Sequence, residues 1–298
     1  MIENDELEEI INSVRDGIWD NYEFTLQKAY ITSILSEMAY LHIPEFERQD
    51  INRLKIIPCR KYWTIIEEEK SFDIRRHVQR NASHNEEIKV VFIIETRNII
   101  SIGIKCRNVL FVTLRGTHHI YRDNLVNIKA RKVKRRYNEK YHSGFYREVS
   151  RIYGKFKREL GLHTDNDTKV VFTGHSLGGA LATILYKACL GRAFRHTYYG
   201  LFSCFVFGMP RVGNSYATEC GETHYSILNK LDVIPTLPSR YFGYSDAKNE
   251  FYLTYDSLDA ILIREKFGKV TWLRQWLNKL QEHRIGEYKR RLKNLMTI

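Results

Sequence analysis

One serine of the sequence lies between two glycines at the spacing that a nucleophilic serine requires. Residues 174–178 read GHSLG, so Gly174 precedes Ser176 by two positions and Gly178 follows it by two. A serine hydroxyl attacks a carbonyl carbon when a base takes its proton and a turn presents it to base and substrate. Small residues at these two positions let the backbone double back in such a strand-to-helix turn. The alternative is a glycine-rich bend without chemistry.

The residues on either side of Ser176 favour the nucleophile. Residues 169–172 are a short apolar segment that predicts a buried strand, and residues 177–190 predict a helix. A strand, a sharp turn and a helix form the context in which a nucleophilic serine occurs. The first N–H groups of the helix face the turn, so we expect the Leu177 backbone N–H to stabilise an oxyanion.

Chain order points to the base and the acid that would serve Ser176. In proteins with this kind of turn the acid follows the serine and the histidine comes last. The downstream histidines are His196, His224 and His283, and the acids considered are Asp232, Asp246, Asp256 and Asp259. Each of these acids leaves His283 as the only histidine after it, which predicts His283 as the base. Asp232 is the preferred acid because it comes just after a predicted strand, whose carboxyl end would deliver it to the site.

Apolar segments elsewhere in the chain predict the strands that position these residues. Residues 89–114 are rich in Val, Ile and Phe and predict three consecutive strands, partly antiparallel. Further strands are predicted at residues 201–207, 223–228 and, at the edge of the sheet, 250–255. Apolar strands that alternate with helices indicate an α/β protein whose mostly parallel central sheet is flanked by helices.

Helical spacing of apolar residues predicts the rest of the architecture. It recurs in residues 20–40, in residues 142–160 and near the carboxyl terminus, where Trp272 and Trp276 share a face. The first residues are acidic and helical in pattern. We therefore expect an N-terminal acidic helical extension over residues 1–22 and one domain over residues 23–298.

Composition suggests where the protein works. The first segment lacks the basic start and apolar middle of a signal peptide, and no apolar run reaches the ~18 residues that span a bilayer. The five cysteines are scattered, without a C-x-x-C pair: Cys59, Cys106, Cys189, Cys204 and Cys220. Such cysteines resemble reduced core thiols. These features predict a cytoplasmic protein, peripheral on membranes at most.

A basic run follows the first group of predicted strands and carries much of the net charge of +12. Its residues are Lys129, Arg131, Lys132, Lys134, Arg135, Arg136 and Lys140, opposed by Glu139 alone. The run is either a solvated face or a contact for an anionic membrane, where each basic residue contributes ~1 kcal/mol. No DNA- or RNA-binding motif accompanies it, so nucleic acid is the least favoured partner.

Taken together, these residues resemble the class 3 lipases, the fungal triacylglycerol lipase branch of the α/β-hydrolase fold. The resemblance covers roughly residues 30–292. Its blocks are LRGT at 114–117, HSGF at 142–145, TGHSLGG at 173–179, GMPRVGN at 208–214, NKLDVIPTLP at 229–238, and His283 with Tyr288 five residues later. The resemblance implies that Thr117 supplies the second oxyanion-hole N–H. It also implies structural roles for Arg115 and His142.

The resemblance further implies a lid that covers the site after Thr117. The lid residues would be His118, His119, Ile120, Tyr121, Arg122, Asp123, Asn124 and Leu125. The family has a Trp in this segment and an Asp three residues later. This chain instead has Asn124 and Asn127 and no Trp, which argues against interfacial activation through a lid tryptophan.

These expectations combine into one function and one alternative. The chain is expected to cleave carboxylic esters of acyl lipids, as a lipase or phospholipase A1 does, through an acyl-Ser176 intermediate with neither metal nor cofactor. Its substrate would lie in a membrane or lipid-droplet surface, and the basic run would favour anionic phospholipid. The alternative is a catalytically silent, lipase-like signalling or membrane-scaffold protein. Such proteins usually lack one member of the triad, whereas Ser176, Asp232 and His283 are all present.

Overall fold

The structure is a computed structural model that describes residues 4–41, 78, 87–96, 98–116, 131–191, 202–253, 258–260 and 282–297. Its centre is a sheet of eight strands in the spatial order β1-β2-β3-β6-β7-β8-β9-β10. The strands of this sheet are β1 (Ile88–Glu95), β2 (Ile99–Cys106), β3 (Val109–Gly116), β6 (Lys169–His175), β7 (Phe202–Phe207), β8 (His224–Asn229), β9 (Glu250–Leu253) and β10 (Leu258–Ala260).

The middle of this sheet is parallel and its two margins are antiparallel. Strands β3, β6, β7, β8 and β9 run parallel to one another. The β1–β2, β2–β3 and β9–β10 pairs are antiparallel. The parallel strands therefore end at one common edge, called the carboxyl edge below, and Ser176 directly follows the β6 terminus there.

Helices cover both faces of the sheet. The helices are α1 (Asn4–Arg15), α2 (Leu26–Leu41), α3 (Ser143–His163), α4 (Leu177–Leu190), the short α5 (Ser215–Thr218) and α6 (Ile285–Met296). Alternate residues of β3 enter two different cores. Val109 and Phe111 pack in the core that α1, α2 and α6 complete, whereas Leu110 and Val112 pack in the core that α3 and α4 complete. Each face of the sheet is thus buried by its own helices.

A small hairpin lies outside the central sheet. Strands β4 (Lys132–Lys134) and β5 (Lys140–His142) pair antiparallel, and Tyr141 forms an isolated bridge with Gly213. His142 caps the start of α3, where its Nδ1 accepts the backbone N–H of Phe145 at 3.3 Å. The hairpin contains part of the basic run and contacts the segment that follows β7 through Tyr141 and Gly213.

The predicted fold class is confirmed. The three consecutive strands within residues 89–114 are β1, β2 and β3, and the predicted helix after Ser176 is α4. One strand prediction was wrong in position, because β9 is followed on its outer side by β10 and is not the edge. The face predicted at Trp272 and Trp276 lies outside the described residues.

The acidic N-terminal helix α1 packs into the same core as α2 and α6. Leu7, Ile10 and Ile11 of α1 are buried together with α2 and α6. Lys289 of α6 joins the layer by pairing with Glu6 at 2.6 Å and with Glu37 at 2.5 Å. Within the described ranges, no helix has the length and apolarity needed to cross a membrane.

Candidate active site

Ser176 sits on the turn between β6 and α4. Its backbone has φ 56° and ψ −124°, a positive φ that non-glycine residues rarely adopt. The glycines two residues away allow the turn. A β-carbon on Gly178 would lie 2.1 Å from the Leu114 carbonyl oxygen, and one on Gly174 would lie 2.6 Å from the Gly178 backbone. The GHSLG spacing therefore reflects direct contact between β6, α4 and β3.

His283 and Asp232 meet Ser176 at this turn. His283 Nε2 lies 2.6 Å from Ser176 Oγ, and His283 Nδ1 lies 2.6 Å from Asp232 Oδ2. All three side chains are buried. The structure thus brings together the serine, the histidine and the preferred acid that the sequence predicted, in the relative arrangement in which a base can take the serine proton.

Asp232 is held by two further donors. The Tyr288 hydroxyl donates to Asp232 Oδ2 at 2.7 Å, and the Ile234 backbone N–H donates to Oδ1 at 2.9 Å. The same Tyr288 oxygen accepts the Asn229 N–H at 3.0 Å. Burial raises the pKa of Tyr288 well above its ordinary value, and the Asp232 carboxylate raises it further, so the hydroxyl remains a donor. These contacts fix the carboxylate against His283.

Gly208 completes the wall behind the Asp232 carboxylate. It follows β7 with φ 53°, and a β-carbon there would lie 2.7 Å from Asp232 Oδ2, 2.8 Å from the Tyr288 hydroxyl and 3.1 Å from His283 Nδ1. Only a residue without a side chain leaves room for this carboxylate, hydroxyl and imidazole to meet. The sequence did not reveal this role of Gly208, although Gly208 is the first residue of one of the blocks of the resemblance.

A buried ion pair braces the loop that carries Asp232. Arg211 Nε pairs with Asp246 Oδ1 at 2.6 Å, and Arg211 Nη1 donates to the Pro238 carbonyl oxygen at 2.9 Å and also to the Thr236 carbonyl oxygen. Burial opposes ionisation of Asp246, but the charges and hydrogen bonds of Arg211 and Arg240 together outweigh it and lower the pKa of the carboxyl. Asp246, one of the acids considered from the sequence, therefore has a structural partner and lies outside the triad.

Of the remaining acids and histidines considered from the sequence, only the side chain of His224 is described, and it lies outside the site. His224 Nε2 lies 2.9 Å from Thr183 Oγ1, inside the core. Burial lowers the pKa of His224 to about 4. Asp256 and His196 lie outside the described residues, and the side chain of Asp259 is not described. Among the described side chains, no group of three or more His, Cys, Asp or Glu is arranged to hold a metal ion.

Of the two expected oxyanion donors, the structure describes Leu177. Leu177 is the first residue of α4, where a backbone N–H has no acceptor within its own helix. Thr117 lies outside the described residues, directly after the β3 terminus at Gly116. The lid residues expected at 118–125 also lie outside them.

The basic run is only partly available to a partner. Lys132 Nζ donates to the carbonyl oxygens of Phe242 at 2.6 Å and Gly243 at 3.0 Å. Arg135 lies 4.1 Å from the centre of the Tyr146 ring. Arg131 and Lys134 are exposed, Lys129 lies outside the described residues, and the side chain of Arg136 is not described.

The mostly parallel sheet with helices on both faces is an α/β-hydrolase fold. Residues 111–242 match the family described as lipase (class 3). A solved structure, a mutant form of MDLA from Penicillium cyclopium, superposes with a TM-score of 0.54 over 78% of this chain and 82% of its own. Because that identity is only 16%, the likeness shows the fold alone. The resemblance to this family is therefore confirmed for residues 111–242.

Curated relatives match part of the chain. Secreted mono- and diacylglycerol lipase 1 of Fusarium solani is 32% identical over 124 residues, which is 40% of this chain and 35% of that relative. Phospholipase A1-II 1 of Oryza sativa subsp. indica is 32% identical over 126 residues, 41% of this chain and 30% of that relative. The chain thus spans about a third of the length of the curated relatives it matches.

The predicted cytoplasmic location is wrong. The Fusarium relative and relatives from Malassezia globosa are named as secreted lipases. The cysteines misled the prediction because their burial, not a compartment, explains them. Cys106, Cys189, Cys204 and Cys220 are unpaired and buried, and burial raises the pKa of the Cys106 thiol to about 11. Such thiols are unreactive in any compartment, so they carry no information about location.

Proposed function

We propose that the chain is a serine hydrolase that cleaves the carboxylic esters of acyl lipids. The observation that carries the proposal is the geometry at Ser176. The serine, presented at positive φ, lies 2.6 Å from the imidazole of His283, and that imidazole lies 2.6 Å from a carboxylate that two other donors fix. Three buried polar side chains aligned in this order form the arrangement expected of a nucleophile, its base and an acid that orients the base.

The first half of the reaction transfers the acyl group to Ser176. His283 Nε2 takes the hydroxyl proton while Oγ forms a bond with the ester carbonyl carbon, whose oxygen becomes the oxyanion. Asp232 keeps the proton of His283 on Nδ1 and stabilises the imidazolium. When the tetrahedral intermediate collapses, the bond from carbon to the leaving oxygen breaks. His283 gives the proton that it took from Ser176 to that oxygen, and the alcohol departs.

The second half of the reaction releases the acyl group. A water molecule gives one proton to His283 and its oxygen attacks the carbonyl carbon of the acyl-Ser176 ester. Collapse of the second tetrahedral intermediate breaks the bond to Oγ, and His283 returns the proton to Ser176. We propose the backbone N–H groups of Leu177 and Thr117 as the donors to both oxyanions, each of which would contribute about 3 kcal/mol of transition-state stabilisation.

Two properties of the protein support acyl lipids as the substrate class. Its relatives are named for mono- and diacylglycerols and for phospholipids, and an aromatic turn is exposed in the connection between β8 and β9. In this turn, the 3₁₀-helix Arg240–Phe242, the Tyr241 side chain is 91% exposed and Phe242 is 54% exposed. The turn begins eight residues after Asp232. Exposed aromatic rings beside basic groups are suited to the boundary between lipid and water.

The hairpin of β4 and β5 supports the aromatic turn through hydrogen bonds from Lys132. Lys132 holds the Phe242 and Gly243 carbonyl oxygens, and Arg240 pairs with the buried Asp246. We therefore propose that Lys132 supports the turn, while Arg131 and Lys134, which are exposed, contact anionic headgroups. Of the basic run, this assigns lipid contact to fewer side chains than the sequence suggested.

We also propose that residues 23–298 form one hydrolase domain on which residues 1–22 pack as a helical extension. The pairing of Lys289 with Glu6 and the burial of Leu7 and Ile10 support this arrangement.

The activity is tested by comparing hydrolysis of a monoacylglycerol, a diacylglycerol and a phospholipid in vesicles with that of a water-soluble short-chain ester. Wild-type protein is expected to release fatty acid from at least one lipid. Ser176→Ala is expected to lose at least about 10³-fold in kcat on every substrate. Lipid hydrolysis that survives in Ser176→Ala, or its complete lack in the wild type, would contradict the proposal.

The lipid-contact surface is tested by vesicle sedimentation in the Ser176→Ala background. Replacing Tyr241 and Phe242 with Ser removes two exposed rings whose partial burial is worth about 2 kcal/mol, or about a 30-fold change in partitioning. Leu162→Ser is the matched control, because Leu162 is 69% exposed at the end of α3 that is distant from the hairpin. Equal binding by the aromatic double variant and by this control would exclude the turn as a lipid contact.

A further inference from the structure

His175 is a buried imidazole beside the nucleophile that the proposed mechanism does not use. It is the last residue of β6, and its Nε2 lies 2.5 Å from the backbone carbonyl oxygen of His283. The centres of the two imidazole rings are 4.6 Å apart. His175 therefore contacts the backbone and the ring of the residue proposed as the base.

Tyr40 holds His175 from the opposite side. The Tyr40 hydroxyl lies 3.2 Å from His175 Nδ1 and 3.1 Å from the His175 backbone carbonyl oxygen. The Tyr40 carbonyl oxygen in turn accepts a hydrogen bond from Arg115 Nη1 at 2.8 Å. One chain of buried and half-buried contacts thus joins the end of β3, the end of α2, the serine turn and the His283 backbone.

The carbonyl oxygen of His283 determines the tautomer of His175. A carbonyl oxygen only accepts hydrogen bonds, so Nε2 carries the proton that the His283 carbonyl oxygen receives. Nδ1 of the neutral ring is then an acceptor, to which the Tyr40 hydroxyl can donate. Burial lowers the pKa of His175 well below its ordinary value, and His283 lowers it further. An uncharged ring beside His283 does not oppose the imidazolium that forms there during the reaction.

The backbone around His283 depends on side-chain donors of this kind. Residues 282–284 form a turn before α6 and are outside any helix or strand. Asn229 Nδ2 donates to the Glu282 carbonyl oxygen at 2.6 Å, and His175 donates to the next carbonyl oxygen, that of His283. Because the His283 ring must reach both Ser176 and Asp232, a shift of this turn would move the ring away from both.

We propose that His175 is a positioning residue for the reaction, which holds the His283 turn through its Nε2–H and is itself oriented by Tyr40. This inference rests on the proposed hydrolase function. It assigns a role to the histidine of the GHSLG segment that is distinct from the roles of the nucleophile, the acid and the base.

The test uses four variants of the full chain and a water-soluble ester. His175→Leu removes the donor, His175→Gln retains an N–H near the position of Nε2, and Tyr40→Phe removes only the hydroxyl. His224→Leu is the matched control, because His224 is another buried histidine, whose ring is hydrogen-bonded to Thr183 away from the site. For each variant, kcat, KM and the thermal unfolding midpoint are measured.

A positioning role predicts a specific division of the effects. His175→Leu is expected to lower kcat by about 100-fold, as a misplaced catalytic group does, with little change in KM. His175→Gln is expected to recover most of kcat, and Tyr40→Phe to lower it by about tenfold or less. His224→Leu is expected to reduce thermal stability but to leave kcat unchanged.

The outcomes separate this inference from the proposed function. If wild-type protein is active, Ser176→Ala is inactive and His175→Leu keeps the kcat of His224→Leu, the positioning role is wrong and the function stands. If His175→Leu does not fold, Tyr40→Phe and His175→Gln decide: wild-type kcat in Tyr40→Phe together with a full loss in His175→Gln overturns the inference. If wild-type protein hydrolyses no ester, function and inference fail together.

Discussion

Replacing Gly208 with alanine tests how closely the residues around Asp232 are packed. The added β-carbon would lie 2.7 Å from Asp232 Oδ2, whereas ordinary contacts begin at 3.4 Å. The carboxylate would have to move by about 0.7 Å, or His283 and Tyr288 would have to separate around it. Since Asp232 is fixed by Tyr288 and by the Ile234 N–H, the displacement is transmitted to the His283 ring.

The magnitude follows from two separate effects. Misplacing a catalytic group by about 1 Å costs about 100-fold in rate, so we expect Gly208→Ala to lower kcat by about 30- to 100-fold. The φ of 53° adds a backbone strain of about 1–2 kcal/mol in any residue with a β-carbon. Together with the steric overlap, this should lower the free energy of unfolding by about 2–4 kcal/mol.

Gly221→Ala is the control that separates the effect of backbone strain from the effect of displacing the Asp232 carboxylate. Gly221 has φ 78°, and a β-carbon there meets no atom within 4 Å. This control carries the same kind of backbone strain, about 1–2 kcal/mol, but leaves the site untouched. Both variants are assayed for kcat on a soluble ester and for urea unfolding. Unchanged kcat in Gly208→Ala, or an equal loss of kcat in Gly221→Ala, would refute the argument that Gly208 makes room for the triad.

Three further predictions concern groups around the site and in the core. Tyr288→Phe removes the donor to Asp232 and leaves a buried N–H without its acceptor, so urea unfolding should show a loss of about 1–3 kcal/mol and kcat on a soluble ester should fall. Asp246→Asn removes the charge opposite the buried Arg211, and thermal unfolding should report a loss of about 3 kcal/mol. The pKa of His224, about 4 in the fold, lies below the ordinary 6.5 of an exposed histidine because of burial. The unfolded chain therefore binds the proton first, and stability should fall as pH drops from 6.5 to 4, by up to about 3 kcal/mol. His224→Gln should reduce this fall when urea unfolding is compared at pH 7 and pH 4.5.

The part of the site that is encoded in adjacent residues was predictable. Gly174 and Gly178 are set by contacts that the turn makes with itself and with β3, so their spacing around Ser176 is a local signal. Chain order then led to His283 because no other histidine follows the candidate acids, and the position of Asp232 just after a predicted strand made it the preferred acid. Apolar segments likewise predicted the central strands, since burial on both faces leaves a nearly continuous apolar run.

The part that depends on distant residues meeting was not predictable. Gly208, Asp232 and Tyr288 are separated widely in the chain, and nothing near Gly208 indicates that a carboxylate lies 2.7 Å from its missing side chain. The pairing of Arg211 with Asp246 is of the same kind. From the sequence, Asp246 was an acid available to the triad, and only its buried partner shows that its charge is already used.

The error about location has a different origin. Scattered cysteines in apolar segments favour a reducing compartment only if no other cause explains them, and burial explains four of them. A property that follows from core packing cannot also indicate the compartment. The names of the relatives are independent of packing, which is why they overturn the prediction.

The most direct test of the central claim is labelling with a fluorophosphonate followed by peptide mass mapping. The probe forms a stable bond with a serine oxygen only where that oxygen is activated. The account predicts one label per chain in wild-type protein, on the peptide that contains Ser176. It predicts no label in Ser176→Ala and labelling slowed by at least about 10³-fold in His283→Ala. A label on another residue, equal labelling of wild-type and Ser176→Ala protein, or none in either, would contradict it.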